Sequence, residues 1–277
     1  MTHTAVFLEE ATQALEIKQG KKYIDATYGA GGHSNRIAKV GGKVLAIDLD
    51  QNIRQPENKQ ILLVNGNYKD LKKIAKEHNF VPVSGILFDL GLSMNQIRES
   101  EKGFSYDKPH EILDMRLGNE GITASEYLND TQPEVLKEEL IRFSEDINAE
   151  AIAKKIAYVR SKNKIERVGD LTRIIDECVK ADDRELKRTY ARIFQAIRIL
   201  VNCEIENIQS ALDQSLNIVE KGGKIVVITF HSIEDRLVKK FGRANSNLIS
   251  ENRIKVGQNR KVAKFERSAA LRVYTKI

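Results

Sequence analysis

Two cysteines in 277 residues are too few for a disulfide framework. Cys178 (in DECVK) and Cys203 (in VNCEIE) sit in helix-like polar contexts, without the CxxC spacing of a metal site. No HExxH occurs either, so no metal is expected. No stretch approaches the ~18 consecutive apolar residues of a membrane span. The stretch MTHTAVFLEEATQAL has neither a basic start nor a long apolar core. These absences lead us to expect a protein of a reducing, cytoplasmic compartment with no membrane partner. Internal repeats and low-complexity segments are missing too. A chain of this length buries roughly three quarters of the surface its unfolded form exposes, enough for a full core.

What is present is charge, unevenly spread. Twelve Lys and Arg against two acids lie between Arg236 and Ile277, a net of +10, whereas the rest of the chain carries 33 basic and 37 acidic residues, a net of −4. A basic quarter on a mildly acidic body points to a polyanionic partner, because cations that neutralise phosphates release condensed counterions. A solvated basic surface that only aids solubility is the plainer alternative.

Apolar, β-branched runs recur with helix-period segments between them: KKYIDAT, GKVLAIDLD, KQILLVNGN, VSGILFDLG and GGKIVVITF. This alternation predicts an α/β, Rossmann-like fold with a mostly parallel sheet. The fifth strand, Lys224 to Phe230, comes about 130 residues after the fourth, too far for one crossover. The intervening sequence carries apolar residues at three- and four-residue spacing, with Pro133 and Asp170 near helix starts. An inserted all-helical subdomain over 107–196 is therefore expected, flanked by a first part (1–106) and a second part (197–277) of the sheet domain. A single long helix, about Asp183 to Val219, is read as returning the chain to the sheet. It has an apolar stripe (Phe194, Ile197, Val201, Ile205, Ile208) beside a polar one (Arg188, Arg192, Gln195, Arg198, Asn202).

The stretch DATYGAGGHS, Asp25 to Ser34, holds glycines at 29, 31 and 32 between the first strand and the first helix. Asp48 ends the second strand 19 residues after Gly29, where a carboxylate accepts ribose hydroxyl protons. A dinucleotide fingerprint requires a third glycine where Ser34 stands, and a phosphate-gripping P-loop requires a lysine where His33 and Ser34 stand. A ligand with ribose and adenine but no phosphate fits better, and S-adenosylmethionine is the common one. Gly31 and Gly32 would let the backbone approach its methionine end. A tight turn with no ligand is the alternative.

In ILFDLGLS the fourth strand ends on Asp89, near the adenine or methionine end of such a ligand. Methyltransferases acting on exocyclic amines of bases carry an acceptor loop there, usually with two prolines and an aromatic; here it reads Asp89, Leu90, Gly91, Leu92. Cytosine C5 methylation needs a cysteine nucleophile after a strand, and neither cysteine is so placed. His231 and Glu234 in FHSIEDR follow the fifth strand and could face the same pocket, although a histidine there is more often structural. Phe104 and Phe230 could stack an extruded base or serve as ordinary core or lid aromatics.

Taken together, HTAVFLEEA, YIDATYGAGGHS, LAIDLD, GILFDLGLS, KGFSYD, ILDMRL, FQAIRILVNCEIENI, GGKIVVITFHSIEDRLVK and RSAALRV resemble the bacterial small-subunit rRNA cytosine-N4 methyltransferases nearly end to end. The resemblance implies a class I S-adenosylmethionine-dependent methyltransferase domain interrupted by a helical domain. It implies methylation of the N4 amine of a cytidine in the decoding region of small-subunit (16S) rRNA, on naked rRNA or an assembled particle. Cofactor contacts would fall on Gly31, Gly32, His33, Asp48, Tyr68, Asp89 and Gln96. Asp89 would orient the amine, with Ser93 and His231 assisting. Arg116, Arg198, Arg236, Lys239, Arg267 and Arg272 would hold RNA. A monomer and a homodimer are both compatible with the sequence.

Overall fold

The β-branched runs become strands: β1 Lys22–Asp25, β2 Lys43–Asp48, β3 Ile61–Asn65, β4 Val83–Asp89 and β5 Val219–Thr229. The structure, a computed structural model, describes residues 5–51, 53–91, 100–254 and 269–277, and the side chains of 252–254 lie outside that description. Among the described residues two further strands, β6 Ile249–Ile254 and β7 Ala270–Lys276, join the other five in one sheet of order β3-β2-β1-β4-β5-β7-β6. The first five are parallel to one another, and β7 runs antiparallel between β5 and β6. Strand order reverses at β1, which pairs with both β2 and β4. In open α/β sheets this switch point, at the carboxyl ends of the strands, is where ligands bind.

Both faces of the sheet are covered, which is why its strands read as near-continuous apolar runs. Ile24, Leu45, Ile47, Ile86 and Phe88 point to one layer. There they meet helices α3 (Leu71–Glu77), α9 (Glu204–Ile218) and α10 (Ser232–Ala244). Tyr23, Val44, Ala46, Leu87 and Val226 point to the other layer, with α1 (Leu8–Ala14) and α2 (Gly32–Lys39). Successive residues thus alternate between layers, as the pleat requires.

Contacts divide the chain into two units, 1–91 with 205–277 and 92–204. The second holds α4 Ala124–Asp130, α5 Pro133–Ser144, α6 Ala149–Arg160, α7 Val168–Cys178 and α8 Asp183–Val201. Their starts are written locally. Thr123 and Glu126 form a capping box on α4, Pro133 occupies the first turn of α5, and Asp182 Oδ1 accepts from Glu185 N at 2.8 Å on α8. Leu136, Leu140, Ile152, Ile156, Leu171 and Ile197 are fully buried and supply the apolar faces of these helices.

The second unit, 92–204, is wider than the 107–196 expected for the helical insertion, and Lys102 is bonded into it. Met115 N donates to Lys102 O, Leu113 N to Glu166 O and Val168 N to Glu111 O, and Ile112 bridges Arg167. The single helix from Asp183 to Val219 is two, broken at Asn202 and Cys203, where Cys203 has φ +48°. There the Asn202 side chain accepts from Leu117 N and donates to Met115 O, both at 2.8 Å. Among the described residues no helix is long and apolar enough to cross a membrane.

Candidate active site

The carboxyl ends of the parallel strands gather most of the residues expected to hold the cofactor or to act in catalysis on one edge. β1 ends at Asp25, β2 at Asp48, β3 just before Tyr68, β4 at Asp89 and β5 just before Phe230 and His231. The glycine turn is bonded to its neighbours: Tyr28 N donates to Ile47 O at 3.0 Å, Gly31 N to Tyr28 O at 2.8 Å, and Gly29 N to Asp48 Oδ2 at 2.7 Å. The 19-residue spacing therefore reflects a direct bond between turn and acid.

The glycines have different reasons. A Cβ at Gly31, whose φ is +77°, would lie 2.6 Å from Tyr28 Oη, and one at Gly32 would lie 3.0 Å from Ala5 Cβ. Both positions are small because the chain packs against itself. Gly29, at φ +52°, would meet nothing within 4 Å and is the glycine that faces open space.

Asp48 is held by backbone. Its Oδ2 takes Gly29 N–H and its Oδ1 takes Asp50 N–H at 2.9 Å, which leaves each oxygen a second lone pair. Burial raises its pKa, against the lowering by those N–H groups. Gly66 N donates to Asp48 O at 2.8 Å, so the end of β3 is tied to β2. Tyr68 follows in a short 3₁₀ turn and meets Phe88 of β4 edge-on at 6.3 Å.

Asp89 lies beside His33. His33 is buried on the first turn of α2, its Nε2 3.5 Å from Asp89 Oδ2, too far for a good hydrogen bond. Neither imidazole nitrogen has a hydrogen-bond partner of good geometry among the described residues, and Asp89 Oδ1 is likewise buried without one. Buried polar atoms are normally satisfied, so such a group calls for an explanation, and a ligand is one. Burial pulls the His33 pKa down, but the carboxylates of Asp89 and Asp25 outweigh it and the net shift is upward.

Sequence reasoning missed the layer behind these residues. Asp25 is fully buried, and its Oδ2 accepts from Ser34 Oγ at 2.6 Å. Ser34 thus ties α2 to β1 at the position where a dinucleotide site has glycine. Thr27 Oγ1 accepts from Asp89 N at 2.7 Å and ties the turn to β4. The signal was available in Asp25 and Ser34, at opposite ends of the quoted stretch. Burial, opposed by His33 and Ser34, pushes the Asp25 carboxyl up to about 6.

A pH effect on stability follows. Between about pH 4 and 6 folded Asp25 keeps a proton that the unfolded chain has lost, so stability falls as pH rises through that window, by on the order of 3 kcal/mol. Asp25→Asn should flatten this slope, its advantage over the parent growing from pH 4 to 6 in denaturant titrations. An advantage independent of pH would refute the assignment.

A family model described as the MraW methylase family matches residues 1–275. The chain belongs to that family. Among the relatives of this MraW-family chain is the "Ribosomal RNA small subunit methyltransferase H" of Thermomicrobium roseum, 39% identical over 253 residues, covering 87% of this chain and 77% of that one. The protein of the same name from Dictyoglomus thermophilum is 37% identical over 290 residues, covering 98% and 95%. A solved rRNA methylase of Streptococcus thermophilus has a TM-score of 0.45 at 10% identity, over 100% of this chain and 99% of that one. The sheet of the MraW-family chain, with its switch point at β1 and an antiparallel strand inserted next to β5, is the class I, Rossmann-like methyltransferase fold.

The other expected residues divide. Ser93, Gln96 and Arg267 lie outside the described residues. His231 is the N-cap of α10: its Nδ1 accepts from Glu234 N at 3.4 Å, while buried Glu234 returns Oε2 to Phe230 N at 2.8 Å. It thus stands at the site edge as the cap of this helix.

Three of the cations expected to hold RNA are paired with acids of the chain itself. Arg116 grips Asp114 with two nitrogens, at 2.7 and 2.9 Å, and bonds the carbonyls of Asn119 and Gly121. Arg198 grips Glu204 in the same two-pronged way. Arg272 is buried between Asp235, at 2.7 Å, and Glu251. Lys239 pairs with Asp235 at 2.7 Å and is part exposed, and Arg236 is exposed.

Proposed function

We propose that this chain transfers the methyl group of S-adenosylmethionine to the exocyclic N4 amine of a cytidine in the decoding region of small-subunit rRNA. Membership of the MraW methylase family and two relatives named for small-subunit rRNA methylation support the reaction class. The observation that carries it to this site is the buried, unpartnered Asp89 Oδ1 beside buried His33 at the switch point.

The residues fit the cofactor. Asp48 keeps lone pairs for ribose hydroxyls, and Tyr68 offers an aromatic surface beside them. Gly29 leaves space, while Gly31, Gly32 and His33 open the helix that would receive the methionine end. When bound, the cofactor supplies an electrophilic methyl on sulfonium. No metal is invoked.

The protein's task is to make a poor nucleophile react. The cytosine amine has its lone pair delocalised into the ring. Asp89 Oδ1 is an acceptor with no other partner among the described residues, so a hydrogen bond from the amine would localise that lone pair and fix its direction. Holding the reactants in alignment supplies up to roughly 7 to 11 kcal/mol of the barrier. The amine loses its proton after transfer, when it is acidic, and needs no strong base. His33, its pKa raised by the neighbouring carboxylates against the effect of burial, stands beside Asp89. An rRNA substrate supports a cytoplasmic location.

The test is incubation of the full chain with methyl-labelled cofactor and small-subunit rRNA, naked and assembled, followed by nuclease digestion and mass spectrometry. We expect label on a single cytidine as N4-methylcytidine. Tight rRNA binding with no label would refute a catalytic role and leave an RNA-binding assembly factor.

A further inference from the structure

The charge that the sequence concentrates toward its basic quarter is not spread evenly over the fold. Arg272 is buried and Lys239 shares Asp235 with it, so these two neutralise acids of their own unit. The outer face of α10 is different. Arg236, Lys240 and Arg243 are all exposed on it, at i, i+4 and i+7. At about 100° per residue these positions fall within roughly a 60° arc, rising about 6 and then 4.5 Å along the axis. No carboxylate among the described residues pairs with Lys240 or Arg243. The acids of this helix are turned elsewhere: Glu234 is fully buried, and Asp235 is engaged by Arg272 and Lys239.

Helix physics does not account for this row. Like charges four residues apart destabilise a helix. The macrodipole favours cations in the last turn, which covers Arg243 but neither Lys240 nor Arg236. The row also has a place relative to the site. α10 begins directly after β5, and Ile228 of β5 is in register with Asp89 of β4. The first cation therefore stands about one turn beyond the helix end that borders the site, and the others lead away from it.

We propose that this face of α10 is a phosphate track, on which Arg236, Lys240 and Arg243 hold successive backbone phosphates of the RNA strand whose target base enters the site. The inference rests on the reading of the chain as an rRNA methyltransferase and adds the route by which the strand arrives. It replaces Arg272 with Lys240 and Arg243 as the cations that meet RNA on this unit.

The test is the triple variant Arg236→Glu, Lys240→Glu, Arg243→Glu, with the milder glutamine triple as a second form. Both change only exposed side chains, and a melting curve checks the fold. As a control for net charge, Lys73→Glu with Lys76→Glu alters two exposed residues of α3. Binding of the full chain to transcribed small-subunit rRNA is measured from ~50 to ~200 mM salt, with cofactor affinity in parallel.

The glutamate triple should weaken RNA binding at least about 100-fold and lower the slope of log K against log salt by about 2 to 3, since each phosphate contact contributes roughly 0.7 to 0.9. Cofactor affinity and the α3 control should match the parent, and KM for RNA should rise more than kcat falls. An unchanged slope, or an equal loss in the α3 control, would overturn the track. So would parent binding to phosphatidylglycerol vesicles that equals its rRNA binding and is lost in the same triple. A parent that binds rRNA with the predicted slope but transfers no label would instead overturn the reaction and leave the track standing.

Discussion

Asp89→Ala should reduce methyl transfer to small-subunit rRNA by about 10² to 10⁴ while leaving the fold intact. Among the described residues the side chain makes few structural contacts: Oδ1 has no hydrogen-bond partner, and Oδ2 stands 3.5 Å from His33 Nε2. The bond that secures this point of the chain, from Asp89 N to Thr27 Oγ1, belongs to the backbone and survives the substitution. Removing the carboxylate thus takes away the acceptor for the target amine and the acidic neighbour of His33. Asp89→Asn keeps a carbonyl oxygen in nearly the same place and should retain more activity than alanine. The assignment fails if Asp89→Ala transfers label within a few-fold of the parent.

Arg272→Ala should have the opposite signature, a large loss of stability without a specific loss of RNA contact. The guanidinium is buried between Asp235 and Glu251, with Lys239 as a further partner of Asp235. Burial pushes the Asp235 pKa up, but Arg272 and Lys239 prevail and hold it below the usual range. Truncation leaves the acids partly desolvated and underpaired, a situation that costs about 3–5 kcal/mol in a fully buried pair. Because Glu251 is partly exposed, about 2–4 kcal/mol is expected here, or a melting point lower by roughly 5–10 °C. A variant with parent stability and weakened RNA binding would return Arg272 to the RNA surface.

These two residues mark the reach of the sequence. Asp89, Asp48 and the glycine turn were legible because strand ends, turn glycines and acid spacing are local features, and the parallel sheet converts them into one edge. Arg272 was misleading because charge is visible in sequence whereas burial is not. It lies in β7, a strand flanked on both sides by β5 and β6, and its partners come from α10 and β6. β7 itself was hidden for the same reason: ALRVYTK shows no polar–apolar alternation, since four consecutive residues of it are buried. The break at Asn202 escaped because the amide that makes it bonds a loop 85 and 87 positions away. Asp25 and Ser34 were in plain view, but their bond exists only once α2 has packed on β1.

The insertion between β4 and β5 also bears on how the chain reaches this state. Ser84 and Glu220 are bonded across 136 positions, and the strands that carry them are neighbours at the centre of the sheet. Pairing them from an unfolded chain means closing a very long loop, the slowest kind of contact to form. Helices α4 to α8 are joined by short connections and bury their own apolar faces, so they can assemble as the chain emerges during synthesis. Once they have done so, only the stretches on either side remain to be ordered. An insertion already folded would shorten the loop that pairing β4 with β5 has to close.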